Sequence, residues 1–494
     1  MAQIYYNLIA GKWVPARSRK TFESINPARK KEVLGIFPCS DAADVDQAVQ
    51  AARREFPRWR LTPAPRRAEI MFRAAEIMVS RKEELAQTMT REMGKILKES
   101  RGDVQEGIDM TYFIAGEGRR LYGETTPSEL HDKFAMSVRV PIGVVAAITP
   151  WNFPLAIPTW KIVPALVSGN TVVFKPAEDT PLVATRLVQI FEEAGLPAGV
   201  LNLVHGFGEE AGAALVAHPD VDLVSFTGSS EVGRQVAVRC AQDWRRVSLE
   251  MGGKNAILVM EDADLDLAVE GAVWGACGTT GQRCTAASRL IVHQKVVREF
   301  TERLVSAVTR LCLGDGLKPE TDVGPIINKA QLKRVDSYTQ IARQEGAAVL
   351  CGGEVAVEGE CAEGFFYKPT VFAQVTPRMR VAQEEIFGPC PAILPVGSFE
   401  EALDVANSTQ YGLSSAIYTR DVNRAFIAIR ELSAGITYVN ASTIGAEVHL
   451  PFGGIRHTGN GHREGGKTVL DIFTEWKSVY VDYSGKLQKA QIDR

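Results

Sequence analysis

The chain has 494 residues, of which 45% are hydrophobic and 23% charged, with a formal net charge of -3. That profile fits a soluble globular protein of two or three domains and excludes the basic footprint of a nucleic-acid binder or of a protein drawn to an anionic membrane. Eight cysteines lie scattered with no CxxC pair and no Cys/His zinc spacing, so reduced thiols in a cytoplasm are expected, with no metal, no signal peptide and no membrane span.

Tyr6 to Trp13 reads as a short hairpin, and Ser40-Asp41 caps a helix whose apolar positions Val45, Ala48, Val49, Ala52 and Phe56 keep helical spacing. From Ala64 to about Lys98 the pattern is again helical, through Ile70, Ala74, Ile77, Met78, Leu85 and Met89. Phe134–Pro141 alternates like a strand, and Ser478–Tyr483 is a second such stretch. Two readings stay open for this ribbon: an edge strand of its own domain, or a strand that joins another subunit.

After Pro141 short β runs alternate with helices. Strands are predicted at Val144–Ile148, Thr171–Phe174, Val200–Val204, Leu223–Phe226 and Val247–Leu249, with helices near 158–168, 181–194, 209–217 and 230–241. This is the pattern of a parallel, doubly wound α/β sheet, whose ligands sit at the carboxyl ends of the strands. Those ends carry Pro150-Trp151-Asn152, Lys175-Pro176-Ala177-Glu178, Gly206-Phe207-Gly208, Thr227-Gly228-Ser229 and Glu250. Thr227-Gly228-Ser229 runs straight into a helix, a ready site for a pyrophosphate. Lys175 and Glu178 suit the hydroxyls of an adenosine ribose, and Glu178 favours a free 2′-hydroxyl, hence NAD over NADP. The spacing Gly206-x-Gly208-x-x-x-Gly212 departs from the dinucleotide fingerprint and equally suits a plain glycine turn.

A second α/β unit begins at Asn255, with a strand at Ala256–Met260, a helix from Leu265 to about Thr279 and another strand at Arg289–Val292. The helix delivers Gly281-Gln282-Arg283-Cys284, where small residues leave room for a ligand, and Cys284 is the candidate nucleophile. A thiol needs a depressed pKa or a nearby base. Glu250, at a strand end before Met251-Gly252-Gly253, is the candidate base. The reaction is placed in the cleft between the two units.

Taken together, Pro150-Trp-Asn152-Phe-Pro154, Phe174-Lys175-Pro-Ala-Glu178, Phe226-Thr-Gly228-Ser229, Leu249-Glu250-Met-Gly-Gly-Lys254, Gly281-Gln-Arg-Cys284, Glu384-Glu385-Ile-Phe387-Gly-Pro389 and Pro451-Phe452-Gly-Gly454 resemble the aldehyde dehydrogenase superfamily, from about residue 8 to the C-terminus. The resemblance implies that Cys284 attacks the aldehyde and that the Asn152 amide and the Cys284 backbone N–H hold the oxyanion. Hydride then passes to NAD, or to NADP, and Glu250 activates water to hydrolyse the thioester. It implies a cofactor site of Trp151, Lys175, Glu178, Gly208, Gly212, Thr227, Gly228, Ser229, Met251, Glu385 and Phe387. Retention of Glu250 points to water rather than coenzyme A as acyl acceptor. Lys161 and Glu464 match a pair assigned to proton relay, with a structural salt bridge as the simpler reading.

The same likeness implies a Rossmann-like cofactor domain (1–123 and 143–251), a catalytic domain (252–446) and a small β ribbon (124–142 and 473–494) that builds a homodimer or homotetramer. By analogy Phe153, Ile157, Trp160, Arg283, Thr285 and Phe452 line the aldehyde tunnel. Arg283 has two readings: it grips a distal carboxylate, which suits a semialdehyde, or it pairs with a structural carboxylate. Gly445–Phe452 with Thr458–Glu464 resembles enzymes acting on 2,5-dioxopentanoate or aminoadipate semialdehyde more than the general aliphatic group. A thiol esterase, or an idle structural protein on the same scaffold, remains the competing expectation.

Overall fold

The computed structural model describes residues 2–492. Residues 1, 493 and 494, which end the expected cofactor domain and ribbon, lie outside the described residues. Two seven-stranded sheets dominate. In the first, the order is Arg246–Glu250, Leu223–Thr227, Val144–Ile148, Thr171–Lys175, Leu201–Leu203, then the hairpin Asn7–Ile9 and Lys12–Val14. The first five strands of this order run parallel and the hairpin is antiparallel. Val144–Ile148 and Thr171–Lys175 are buried at every position, as strands covered on both faces must be. Apolar cores fill both faces, one around Phe174, Leu187 and Phe191, the other around Val45, Val173 and Val224.

From Val144–Ile148 the chain winds outward through Thr171–Lys175 and Leu201–Leu203, then crosses back to lay Leu223–Thr227 on the opposite side. The strand order therefore reverses between Val144–Ile148 and Leu223–Thr227, which opens a crevice at their carboxyl ends. Pro150-Trp151-Asn152 and Thr227-Gly228-Ser229 stand at that crevice.

The second sheet runs Ala348–Cys351, Val371–Ala373, Ala392–Val396, Ala287–His293, Asn255–Val259, Ser414–Tyr418 and Ile436–Val439, parallel except at Ala348–Cys351. It too carries a core on each face. A three-stranded antiparallel sheet of Glu124–Pro127, Lys133–Pro141 and Thr474–Asp482 stands apart. The strand Lys133–Pro141 is thus covered on both edges within its own chain, and Thr474–Asp482 and Glu124–Pro127 are the open edges.

The structure departs from the sequence expectations at three points. The helical stretch from Ala64 to Lys98 is two helices, Ala64–Ser80 and Lys82–Met93, followed by a break and the helix Leu97–Glu117. The break is made by Gly94, which takes φ 95°, a left-handed stop that glycine adopts freely. A two-stranded sheet of Thr21–Asn26 and Arg29–Pro38 was not anticipated. Finally, the helix expected from Leu265 to about Thr279 ends at Cys277, and the chain turns before Cys284, which precedes the strand Ala287–His293 as the sequence order had it. The nucleophile therefore comes from the amino end of its sheet and meets the carboxyl ends of the first sheet across the cleft.

Candidate active site

Three consecutive left-handed residues, Thr279 (φ 52°), Thr280 (φ 57°) and Gly281 (φ 65°), turn the chain from the helix Leu265–Cys277 into the segment bearing Cys284. Two β-branched residues in that conformation are strained and persist only where their surroundings fix them. The Thr279 backbone N–H donates to Glu99 Oε1 at 2.6 Å, and Thr280 Oγ1 donates to the Gly324 carbonyl at 3.0 Å. A Cβ on Gly281 would stand 2.3 Å from the Gly388 carbonyl oxygen. On the far side, Asn255 Nδ2 donates to the carbonyls of Cys284 and Ala286 at 2.8 and 2.9 Å. Both flanks of the cysteine are thereby fixed.

Cys284 lines two adjoining cavities, of about 250 and about 120 Å³. Ile157, Thr227 and Met251 also belong to both, so the sulfur sits at their junction. The larger cavity reaches the crevice of the first sheet and is lined by Trp151, Asn152, Gly228, Ser229, Glu385 and Phe387. The smaller is lined by Glu250, Phe153, Trp160, Arg283, Thr285 and Phe452 among others. Cys284 thus shares a wall with Asn152 on one side and with Glu250 on the other.

Asn152 is buried; its Nδ2 donates one hydrogen to the Gln282 carbonyl at 3.1 Å, leaving the other free. Among the described residues, neither carboxyl oxygen of the buried Glu250 has a hydrogen-bond partner. Burial, reinforced by the nearby Glu464, raises its pKa well above the usual carboxylate range, against the pull of Lys161 and Arg463. Burial also pushes the Cys284 thiol up to about 12, with Glu385 and Glu250 adding to the shift. The thiol is therefore neutral near pH 7 in this state, and its ionisation needs a base beside it.

The larger cavity suits a dinucleotide. Ser229 caps the 13-residue helix Ser230–Gln242, accepting from the Val232 N–H, and this N-terminus opens at the strand crossover. Thr227 Oγ1 is buried there without a partner. Glu385 bends back over the Gly252–Gly253 turn and accepts the Gly253 N–H at 2.9 Å, in a space that a Cβ on Gly252 would fill. Burial lifts the Glu385 carboxyl to about 7. Trp151 meets the Phe387 ring edge-on at 5.4 Å. Lys175, Glu178, Gly208 and Gly212 do not reach this cavity wall. Lys175 and Glu178 pair with each other at 3.2 Å one strand further along, and Gly212 packs on the Lys175 stem.

Arg283 pairs with a structural carboxylate, one of its two sequence readings: its Nη2 lies 3.6 Å from Glu99 and its Nε donates to Thr279 Oγ1 at 2.8 Å. It also lines the smaller cavity and, among the described residues, is the only cation that does. Phe153 is clamped between Arg283 and Lys95, whose Nζ sits 3.8 Å from the ring centre. Lys161 and Glu464 form a buried ion pair, with Lys161 also donating to Ser225 Oγ at 3.2 Å.

Three contributors escaped the sequence reading. Gln331 holds the Ile386 and Phe387 carbonyls at 3.1 and 2.8 Å, and Arg334 holds that of Glu385 at 2.7 Å. Glu106 lines the smaller cavity, alongside Gly445 and Ala446 of the stretch already singled out in the sequence. Gln331, Arg334 and Glu106 sit on helices with no local motif, so only the fold brings them in.

The aldehyde dehydrogenase family model matches residues 13–479. An alpha-ketoglutaric semialdehyde dehydrogenase of Bacillus subtilis is 43% identical, over 97% of this chain and 98% of the relative. Among solved structures, the HpcC of Thermus thermophilus superposes with a TM-score of 0.95 at 41% identity, covering 99% of this chain and 95% of that one. A Staphylococcus aureus betaine aldehyde dehydrogenase in complex with NAD+ does so at 0.95 and 34%, covering 98% and 96%. A cysteine between a nucleotide-shaped crevice and a small aldehyde-sized cavity, matched along nearly its whole length by these enzymes, places the chain in the aldehyde dehydrogenase family.

Proposed function

We propose that the protein oxidises an aldehyde bearing a distal carboxylate, a semialdehyde, to the dicarboxylic acid, with NAD preferred over NADP. The observation that carries this reading is Arg283, the one cation of the smaller cavity, two-sided between Glu99 and the open space beside Cys284. The Bacillus relative named for a semialdehyde supports it.

In this reading Cys284 Sγ attacks the aldehyde carbon and its proton leaves to Glu250, directly or through water. The oxyanion is received by the free Asn152 N–H and the Cys284 backbone N–H. The residues lining the larger cavity would hold NAD(P)+, which would supply the hydride acceptor for oxidation of the Cys284 adduct to a thioester. Glu250, whose pKa burial raises above the ordinary carboxylate range and which is a stronger base for it, then takes a proton from the attacking water. The Glu385 carboxylate and the capped helix start at Ser229 orient the cofactor's ribose and pyrophosphate. Glu178 beside Lys175 reads the adenosine ribose. Residues 1–123 with 143–251 form the cofactor unit, and 252–446 the catalytic unit. The ribbon strands pair between subunits, for which the open edge Thr474–Asp482 with exposed Trp476 and Tyr480 speaks.

The test compares kcat/KM for succinate semialdehyde, 2,5-dioxopentanoate and pentanal in the wild type and in Arg283→Leu. Loss of a charge-assisted hydrogen bond should lower kcat/KM for the two acids by about 10- to 100-fold more than for pentanal. Equal losses on all three would refute the carboxylate reading.

A further inference from the structure

Glu106 lies on the helix Leu97–Glu117 and lines the smaller cavity together with Arg283. Among the described residues nothing offers its carboxyl group a hydrogen bond or an ion pair, and the side chain is only partly buried, open toward the cavity. The nearby carboxylates are otherwise engaged: Asp103 takes Lys95 at 2.8 Å and the Ala156 N–H at 2.8 Å, while Glu99 takes the Thr279 N–H at 2.6 Å. A second polar group of the same wall is also unused, since the buried Trp160 indole N–H has no partner. In a wall that also holds Phe153, Ile157 and Phe452, such groups are costly unless a ligand uses them.

Resting on the semialdehyde reading above, we infer that Glu106 is a specificity-determining residue: its carboxyl group hydrogen-bonds to an oxygen that the substrate carries beside its carboxylate, while Arg283 holds the carboxylate. The substrate class is then an aldehyde whose far end is a 2-oxo or 2-hydroxy acid rather than a plain carboxylic acid. A keto oxygen is an acceptor only, so Glu106 must supply the hydrogen.

The surroundings allow that. Burial lifts Glu106 to about 8, with Asp103 and Asp109 of its own helix adding to the shift and Arg283 and Lys95 opposing it. The other titratable groups facing it are Cys284, Glu250 and Glu464 of the cavity wall and Tyr438 of the strand Ile436–Val439. The raised pKa keeps Glu106 neutral below about 8 and ionises it above. An ionised Glu106 would repel an anionic substrate. KM for acid aldehydes should therefore rise as pH passes upward through that value.

The experiment measures kcat and KM against pH for wild type, Glu106→Gln and Glu106→Leu with 2,5-dioxopentanoate, succinate semialdehyde, pentanal and betaine aldehyde. Glu106→Leu should cut the preference for the 2-oxo acid over the plain semialdehyde by about 10-fold, the value of one hydrogen bond. Glu106→Gln, which keeps an N–H donor, should restore most of it and abolish the alkaline rise in KM. A rise that persists in Glu106→Gln, or an equal change on all four aldehydes, would overturn the assignment. So would a wild-type preference for betaine aldehyde that Glu106→Gln destroys, because Glu106 would then face a cation as a carboxylate. If instead Arg283→Leu proves indifferent to the distal carboxylate, the semialdehyde reading fails, while the Glu106-dependent KM profile still judges this inference separately.

Discussion

At the scale of single residues, the site sets a neutral thiol beside an unpartnered carboxylate. Because burial holds Cys284 near 12 and also raises Glu250 above the ordinary carboxylate range, the thiol is neutral near pH 7 and depends on the base beside it. Cys284→Ala should therefore abolish aldehyde oxidation while leaving NAD+ affinity, measured by titration calorimetry, within about twofold, since none of the residues proposed to hold the cofactor is changed. Glu385 gives a pH prediction. Its carboxyl, lifted to about 7, would on the proposed role accept ribose hydroxyls more strongly when ionised, so KM for NAD+ should rise as pH falls through that value, and Glu385→Gln should flatten the profile. At the adenosine end, Glu178→Ser should raise kcat/KM for NADP+ relative to NAD+ on the order of 10-fold, by removing a carboxylate that a 2′-phosphate would meet.

At the scale of elements, loops carry the chemistry and regular structure carries their placement. Cys284, Glu250, Asn152 and Thr227–Ser229 were legible because each stands in a short motif at a strand or helix end, where side-chain type and neighbouring glycines speak for local geometry. The three-residue left-handed turn at Thr279–Gly281 was not legible, because threonine is an unfavourable choice there and only the contacts from Glu99, Gly324 and Gly388 hold it. Gly281→Ala would put a Cβ against the Gly388 carbonyl and should cost activity by misplacing Cys284, with slowed thiol alkylation as the readout. Gly453 supports the base in the same way, since an added Cβ would come within 2.6 Å of Glu250 Oε1. Gly453→Ala should lower kcat with little change in the KM for NAD+.

At the scale of the molecule, two sheets approach with opposite ends facing, the first by its strand carboxyl ends and the second by an amino-terminal loop. Strand and helix alternation made both sheets readable, but not their mutual orientation, which rests on contacts hundreds of residues apart. That distance explains why Glu106, Gln331 and Arg334 were missed and why the Lys175–Glu178 pair stands outside the main cavity: no local pattern encodes which helix faces the cleft. The ribbon poses the remaining large-scale question. Trp476→Asp with Tyr480→Asp should lower the mass measured by light scattering, if that exposed edge joins subunits.

The central claim is that one carboxylate, Glu250, serves the deacylation of Cys284. It is tested most directly by rapid mixing of Glu250→Gln with NAD+ and a semialdehyde, following nicotinamide absorbance. The account expects a burst approaching one reduced cofactor per active site, then steady turnover slowed on the order of 100-fold or more. Steady turnover equal to that of the wild type would contradict it.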